Sequence, residues 1–144
     1  HGDFYKVLFH RFPNSRFIFL NRDPDSWYSS LSNHSKGKTM GNLERHVKLY
    51  NRQEEYLSHF SEFSFSSDIN SNQLIMDETY RNHYKKIYEI RNKELVDFFG
   101  RFGNDRIFFG DLSDPNKWKK LASYFSITYS EKLEVHSNKR SYLK

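Results

Sequence analysis

The chain has 144 residues, 36% of them hydrophobic and 18% aromatic, which suits one folded core and argues against a disordered tail. It contains no cysteine, and this removes disulfide frameworks, thiolate metal sites and thiol nucleophiles from consideration. A formal charge of +5 and a pI of about 9.3 favour an anionic ligand. The bases are interleaved with acids, without the block of about five or six like charges that marks a nucleic-acid tail.

The longest apolar runs are tetrapeptides such as Phe17 to Leu20, far short of the roughly 20 residues that span a bilayer. No basic segment leads into an apolar stretch as in a secretory signal, so a cytoplasmic location is the default expectation. The chain opens at His1 without an initiator Met, and a single domain over 1–144, truncated at its N-terminus, is expected.

Taken in order, Asp3 to Phe12 carries Phe4, Val7, Leu8 and Phe12 at helical spacing, and Pro13-Asn14-Ser15 breaks it. Phe17 to Leu20 is a continuous apolar run, the pattern of a parallel strand covered on both faces. Asp23 then caps a helix with Pro24 at its first position and Asp25 near its positive end. Trp27, Tyr28 and Leu31 form its inner stripe. A polar loop holding Gly37 and Gly41 follows, and Leu43 to Phe60 reads as a second amphipathic helix. Ser61 to Asn72 reads as a loop and a candidate lid.

The longest helix is expected from Glu78 to Phe102, with Tyr80, Tyr84, Ile87, Leu95, Phe98 and Phe102 on one side and Gly103 ending it. Arg106 to Phe109 reads as a second buried strand. Asp114-Pro115 opens a last helix with Trp118, Leu121, Ala122 and Phe125 inward. Strands alternating with helices of this length indicate an α/β domain with a parallel sheet.

The chemistry concentrates around Arg22. A buried strand delivers it to the C-terminal edge of the sheet, where ligands of open α/β folds bind. Its guanidinium offers a fork of donors matched to phosphate oxygens, and the helix start adds amides and a positive dipole. Ser30 lies farther along that helix and reaches the same phosphate if the ligand runs along the helix side. The alternative for Arg22 is a surface ion pair with a carboxylate, and for Ser30 an ordinary helix hydroxyl.

Phe12 to Ser30, with a basic residue before the strand, Arg22-Asp23-Pro24 after it and Ser30 eight positions beyond the Arg, resembles the 3′-phosphate-binding segment of the sulfotransferase family. Tyr84 to Gly110 and Trp118 to Phe125 resemble that family's later helix, strand and Trp-containing helix. The resemblance implies a P-loop-NTPase-like parallel sheet flanked by helices. It implies transfer of a sulfuryl group from 3′-phosphoadenosine 5′-phosphosulfate (PAPS) to a hydroxyl or amine, on a small-molecule or carbohydrate acceptor. It places Arg22 and Ser30 on the 3′-phosphate, and Lys139 and Arg140, in a basic segment after the last helix, beside the same group. A solvated basic tail is the other reading of Lys139 and Arg140.

The family's Gly-rich loop for the 5′-phosphosulfate has no counterpart here. Gly37-Lys38-Thr39 lacks both the earlier glycine and the leading strand of a phosphate loop. The fold is therefore expected without its N-terminal βα unit, and the chain alone is not expected to turn over. His1 and Asp3 are the candidates for the acceptor's base. No metal is expected, because the histidines show no ligand spacing. Two rival functions stand beside this one: an inactive nucleotide-binding or structural module of the same fold, and a basic nucleic-acid-binding protein. The core-like spacing of the aromatics speaks against the second, and no nucleic-acid partner is expected.

Overall fold

A computed structural model describes residues 4–37, 48–54 and 76–130. Helix α1 spans Tyr5–Arg11, strand β1 Phe17–Asn21 and helix α2 Pro24–Asn33; the long helix α3 spans Arg81–Phe102, strand β2 Ile107–Asp111 and helix α4 Lys117–Tyr124. Single 3₁₀ turns follow α2 and precede α3 and β2. The two strands pair in parallel, Phe17 opposite Ile107 through Asn21 opposite Asp111. The Leu112 amide continues the ladder to the Asn21 carbonyl at 2.8 Å. This is the expected α/β arrangement, a parallel sheet flanked by helices.

The core at the sheet's N-terminal end is built from rings. Tyr5 and Phe9, four residues apart on α1, meet Phe98 and Phe99 of α3, with Phe17 and Ile107 beneath. Edge-to-face pairs of this kind add roughly 0.5–1.5 kcal/mol each beyond burial. The apolar stripe expected on α1 is therefore the wrong one. Phe4 and Val7 are both 62% exposed, and Leu8 and Phe12 also face outward. Periodicity alone did not distinguish the Tyr5–Phe9 stripe from the Phe4–Val7–Leu8–Phe12 stripe on so short a helix.

Arg106 ties this end together. Its guanidinium donates to the Phe12 carbonyl at 2.8 Å, to the Phe9 and Ser15 carbonyls, and to Ser15 Oγ, while lying 3.8 Å from the Phe9 ring centre. Gly103 closes α3, but with φ at 178° it is extended and not left-handed. Glycine is required there by space, because a Cβ would lie 2.7 Å from Phe9 Cε2.

A second cluster holds α2 on α3. Tyr28, Tyr50, Met76 and Tyr84 are buried, with Trp27 and Leu31 packed against them, so the stripe expected on α2 is the one observed. Burial pushes the Tyr28 hydroxyl up to about 12. Arg52, 3% exposed, donates to Tyr84 Oη at 2.9 Å and lies 3.8 Å from the Tyr80 ring centre.

Further expectations are corrected. Ile107 and Phe108 are buried, but Ile18 is 51% exposed and Phe109 also reaches solvent, so the described helices leave part of each strand uncovered. Asp114-Pro115 forms a turn, with Asp114 accepting the Asn116 amide at 2.8 Å, and α4 starts at Lys117 with Trp118 at the surface. Phe102, placed on the inner side of the long helix, is exposed. The helix expected over 43–60 is interrupted where it is described, by a turn at 50–51 with Asn51 at φ 54°, and the rest of it and all of the loop over 61–72 lie outside the described residues.

Candidate functional site

Four side chains hold the turn that leaves β1. The Arg22 amide donates to Tyr88 Oη at 3.2 Å, and that hydroxyl donates to the Arg22 carbonyl at 3.1 Å. One turn further along α3, Asn92 donates to Asn21 Oδ1 at 3.2 Å. Asp23 caps α2 by accepting the Ser26 amide at 2.8 Å. The Tyr88 ring also stacks on Trp27 of α2, with centroids 4.3 Å apart and planes 17° apart.

Asp25 clamps α2 to α3. It accepts from Arg81 at 2.9 Å and from Lys85 at 2.7 Å. The Lys85 contact, followed by that of Arg81, holds the Asp25 carboxyl below its ordinary value.

Arg22 is half-buried, and its guanidinium has no hydrogen bond or ion pair among the described residues. The two acids closest in sequence are otherwise engaged, Asp23 as the cap and Asp25 with Arg81 and Lys85. The surface ion pair weighed for Arg22 is therefore not formed there. Ser30 stands exposed on α2, two turns from its start, with no side-chain partner among the described residues.

The start of α2 offers an anion less than its sequence suggests. Pro24 has no N–H, the Ser26 amide is taken by the Asp23 carboxylate, and the Trp27 amide bonds the Asp23 carbonyl at 2.8 Å. The Asp25 amide alone remains, beside two carboxylates. An anion at this place would therefore meet side chains, Arg22 first, before free backbone amides.

A cleft of about 610 Å³ opens at the same end of the sheet, between Asn21, Asn92, Asp111, Asp114 and Lys120, with Phe109 on its wall. Asp111 accepts from Ser113 Oγ at 2.5 Å and from the Ser113 amide at 2.7 Å, and these bonds hold its carboxyl low. Asp114 is likewise held low by Lys120, 2.7 Å away.

A family model described as a sulfotransferase domain matches residues 2–134. The chain belongs to the sulfotransferase family. No curated protein and no solved structure matches it significantly. Membership in this family supports sulfuryl transfer as the general class of activity.

Of the residues singled out in the sequence, Arg22 lies just before α2 and Ser30 two turns into it, while His1, Asp3, Lys139 and Arg140 lie outside the described residues. Among the described residues no three His, Asp or Glu side chains converge as a metal site would require, and no helix is long and apolar enough to cross a membrane. Sequence reasoning missed Tyr88 and Asn92. Tyr84, Tyr88 and Asn92 recur every four residues on α3, and an Asn continuing an aromatic line was the available signal.

Proposed function

We propose that this sulfotransferase-family chain holds the 3′-phosphate of PAPS with Arg22 and Ser30, as one domain of an enzyme that transfers a sulfuryl group to a hydroxyl or amine. The reading rests chiefly on one observation: a half-buried guanidinium with no partner among the described residues, on a backbone bonded to Tyr88 at the C-terminal edge of a parallel sheet. Such a fork matches a phosphate dianion. Ser30 supplies a neutral donor along the side of α2, and Lys139 and Arg140 supply further positive charge.

The 3′-phosphate is remote from the reacting sulfur. Contacts to it anchor and orient the donor, and their binding energy serves catalysis only by holding the sulfuryl group in place. Stabilising charge on the transferring group is a separate task, for which the described residues carry no assignment. The acceptor is a small molecule or carbohydrate, with His1 or Asp3 as its base.

The test is binding first and turnover second. Calorimetry with 3′-phosphoadenosine 5′-phosphate and with adenosine 5′-phosphate measures what the 3′-phosphate contributes, and equal affinities refute the site. Labelled PAPS with phenols, alcohols, amines and sugars then measures transfer. Binding without transfer is expected of the chain alone; binding without transfer also by a form extended at the N-terminus with a Gly-rich phosphate loop favours a nucleotide-binding module of the same fold.

A further inference from the structure

The Arg22 guanidinium has no partner among the described residues, so its direction depends on the backbone it leaves from. At Arg22 itself that backbone is held by the hydroxyl of Tyr88. The Tyr88 hydroxyl accepts from the Arg22 amide at 3.2 Å and donates to the Arg22 carbonyl at 3.1 Å, so both polar groups of one peptide residue end on one oxygen. These groups lie one residue past the last strand pair, Asn21 with Asp111, where the ladder no longer serves them.

The ring of the same side chain stacks on Trp27. Trp27 and Ser30 are three residues apart on α2 and so occupy neighbouring positions on its surface. Tyr88 therefore touches the turn that carries Arg22 and the helix that carries Ser30. Asn92, one turn along α3, holds Asn21 and steadies the same strand end.

We infer that Tyr88 is a positioning residue that sets the Arg22 fork in register with Ser30, so that the 3′-phosphate meets a prepared site and not a wandering cation. This rests on the proposed 3′-phosphate site. Its physical content is preorganisation: contacts already formed in the free protein lower the ordering cost when the ligand binds.

Tyr88→Phe separates the two contacts of Tyr88, since it keeps the ring on Trp27 and removes the hydroxyl. Calorimetry with 3′-phosphoadenosine 5′-phosphate and adenosine 5′-phosphate is run on the unsubstituted chain, Tyr88→Phe, Arg22→Ala and the double variant. Tyr88→Phe is expected to weaken the bisphosphate by roughly 5- to 10-fold and the monophosphate by less than about 2-fold, the loss of neutral hydrogen bonds. In the Arg22→Ala background the same change should have no further effect, as a residue acting through Arg22 requires.

Amide hydrogen exchange gives a ligand-free readout. The Arg22 amide should lose protection in Tyr88→Phe while the Phe19 amide keeps it. Equal loss for both nucleotides, or an additive double variant, overturns the inference and leaves the site standing if Arg22→Ala still abolishes the 3′-phosphate preference. Collapse of protection throughout β1 also overturns it, because the hydroxyl would then hold the fold and not the site. If the unsubstituted chain shows no preference for the bisphosphate, the site and this inference fall together.

Discussion

Arg22→Ala bears most directly on the site. The guanidinium has no partner among the described residues, so truncating it breaks no ion pair and leaves no carboxylate stranded there. The backbone bonds to Tyr88 use the amide and carbonyl, which alanine retains. Unfolding stability should consequently change by less than about 0.5 kcal/mol, the usual range for surface substitutions. Ligand binding should change far more. A hydrogen bond to a charged group is worth about 1.5–3 kcal/mol, and at 1.4 kcal/mol per decade this weakens 3′-phosphoadenosine 5′-phosphate by roughly 10- to 150-fold. Adenosine 5′-phosphate, lacking the group that Arg22 meets, should bind within about 2-fold of its original affinity. Arg22→Lys should fall between, since it keeps the charge and loses the fork. Calorimetry on the three proteins at fixed ionic strength is the measurement. Parallel losses for both nucleotides would refute the assignment, because Arg22 would then support the whole nucleotide or the local fold.

Three further outcomes follow from the frame. Arg106→Ala strands the Phe9, Phe12 and Ser15 carbonyls and removes a cation from the Phe9 ring, so it should cost about 2–4 kcal/mol in urea unfolding, with Arg106→Lys rescuing little. Gly103→Ala drives a Cβ into the Phe9 ring and should destabilise by about 1–3 kcal/mol, whereas Gly100→Ala, with open space around its Cβ on the same helix, should stabilise by up to about 1 kcal/mol. The third concerns pH. The Asp25 carboxyl sits below its ordinary 3.8 in the folded protein, so its contribution is complete above that value and is lost as pH falls through the lower folded value. Urea midpoints measured from neutral pH downward should show an acid-side decline that is shallower in Asp25→Asn. An unchanged slope would mean that Arg81 and Lys85 do not favour the ionised form.

How far the fold was legible in the sequence depended on how many stripes each element offered. Strand β1, the Asp23-Pro24 helix start and the long helix to Phe102 each carried a single strong signal and stand where expected. Helix α1 carried two. Tyr5 and Phe9 won because Phe98, Phe99 and Phe17 wait on that side, a fact about tertiary neighbours that no local pattern contains. Asp114-Pro115 shows the opposite failure, a valid capping signature used for a turn by the Asp114 side chain itself. For the proposed site, the place of Arg22 directly after a strand was legible. Tyr88 was not, since a Tyr at helical spacing reads as core, and only the fold shows that its hydroxyl lies at the strand exit.

The start of α2 shows why the residue types around Arg22 matter together. A strand followed by Asp-Pro and a helix reads as an anion site made of amides and dipole, the general property of helix N-termini. Here that property is largely used by the chain itself, because Pro24 removes one amide, Asp23 occupies another, and Asp25 adds a second carboxylate. Both acids repel a phosphate unless they are neutralised. Arg81 and Lys85 offset the charge of Asp25 from α3, whereas the Ser26 amide, being neutral, caps with Asp23 without cancelling its charge. Of the two acids nearest Arg22 in sequence, Asp25 is thereby paired with cations of α3, which leaves the Arg22 guanidinium open to the proposed phosphate. If Arg22 holds the 3′-phosphate as proposed, Arg81 and Lys85 contribute to its binding without touching it. If Lys85 is changed to Ala, Asp25 keeps Arg81 alone and recovers part of its field toward Arg22. Affinity for 3′-phosphoadenosine 5′-phosphate should then drop by a few-fold at low salt, with the deficit shrinking as salt is raised, since exposed charges farther apart than about 10 Å at 0.1 M are screened. A deficit that persists at high salt would show that Lys85 acts by contact or by holding α2, and not through charge.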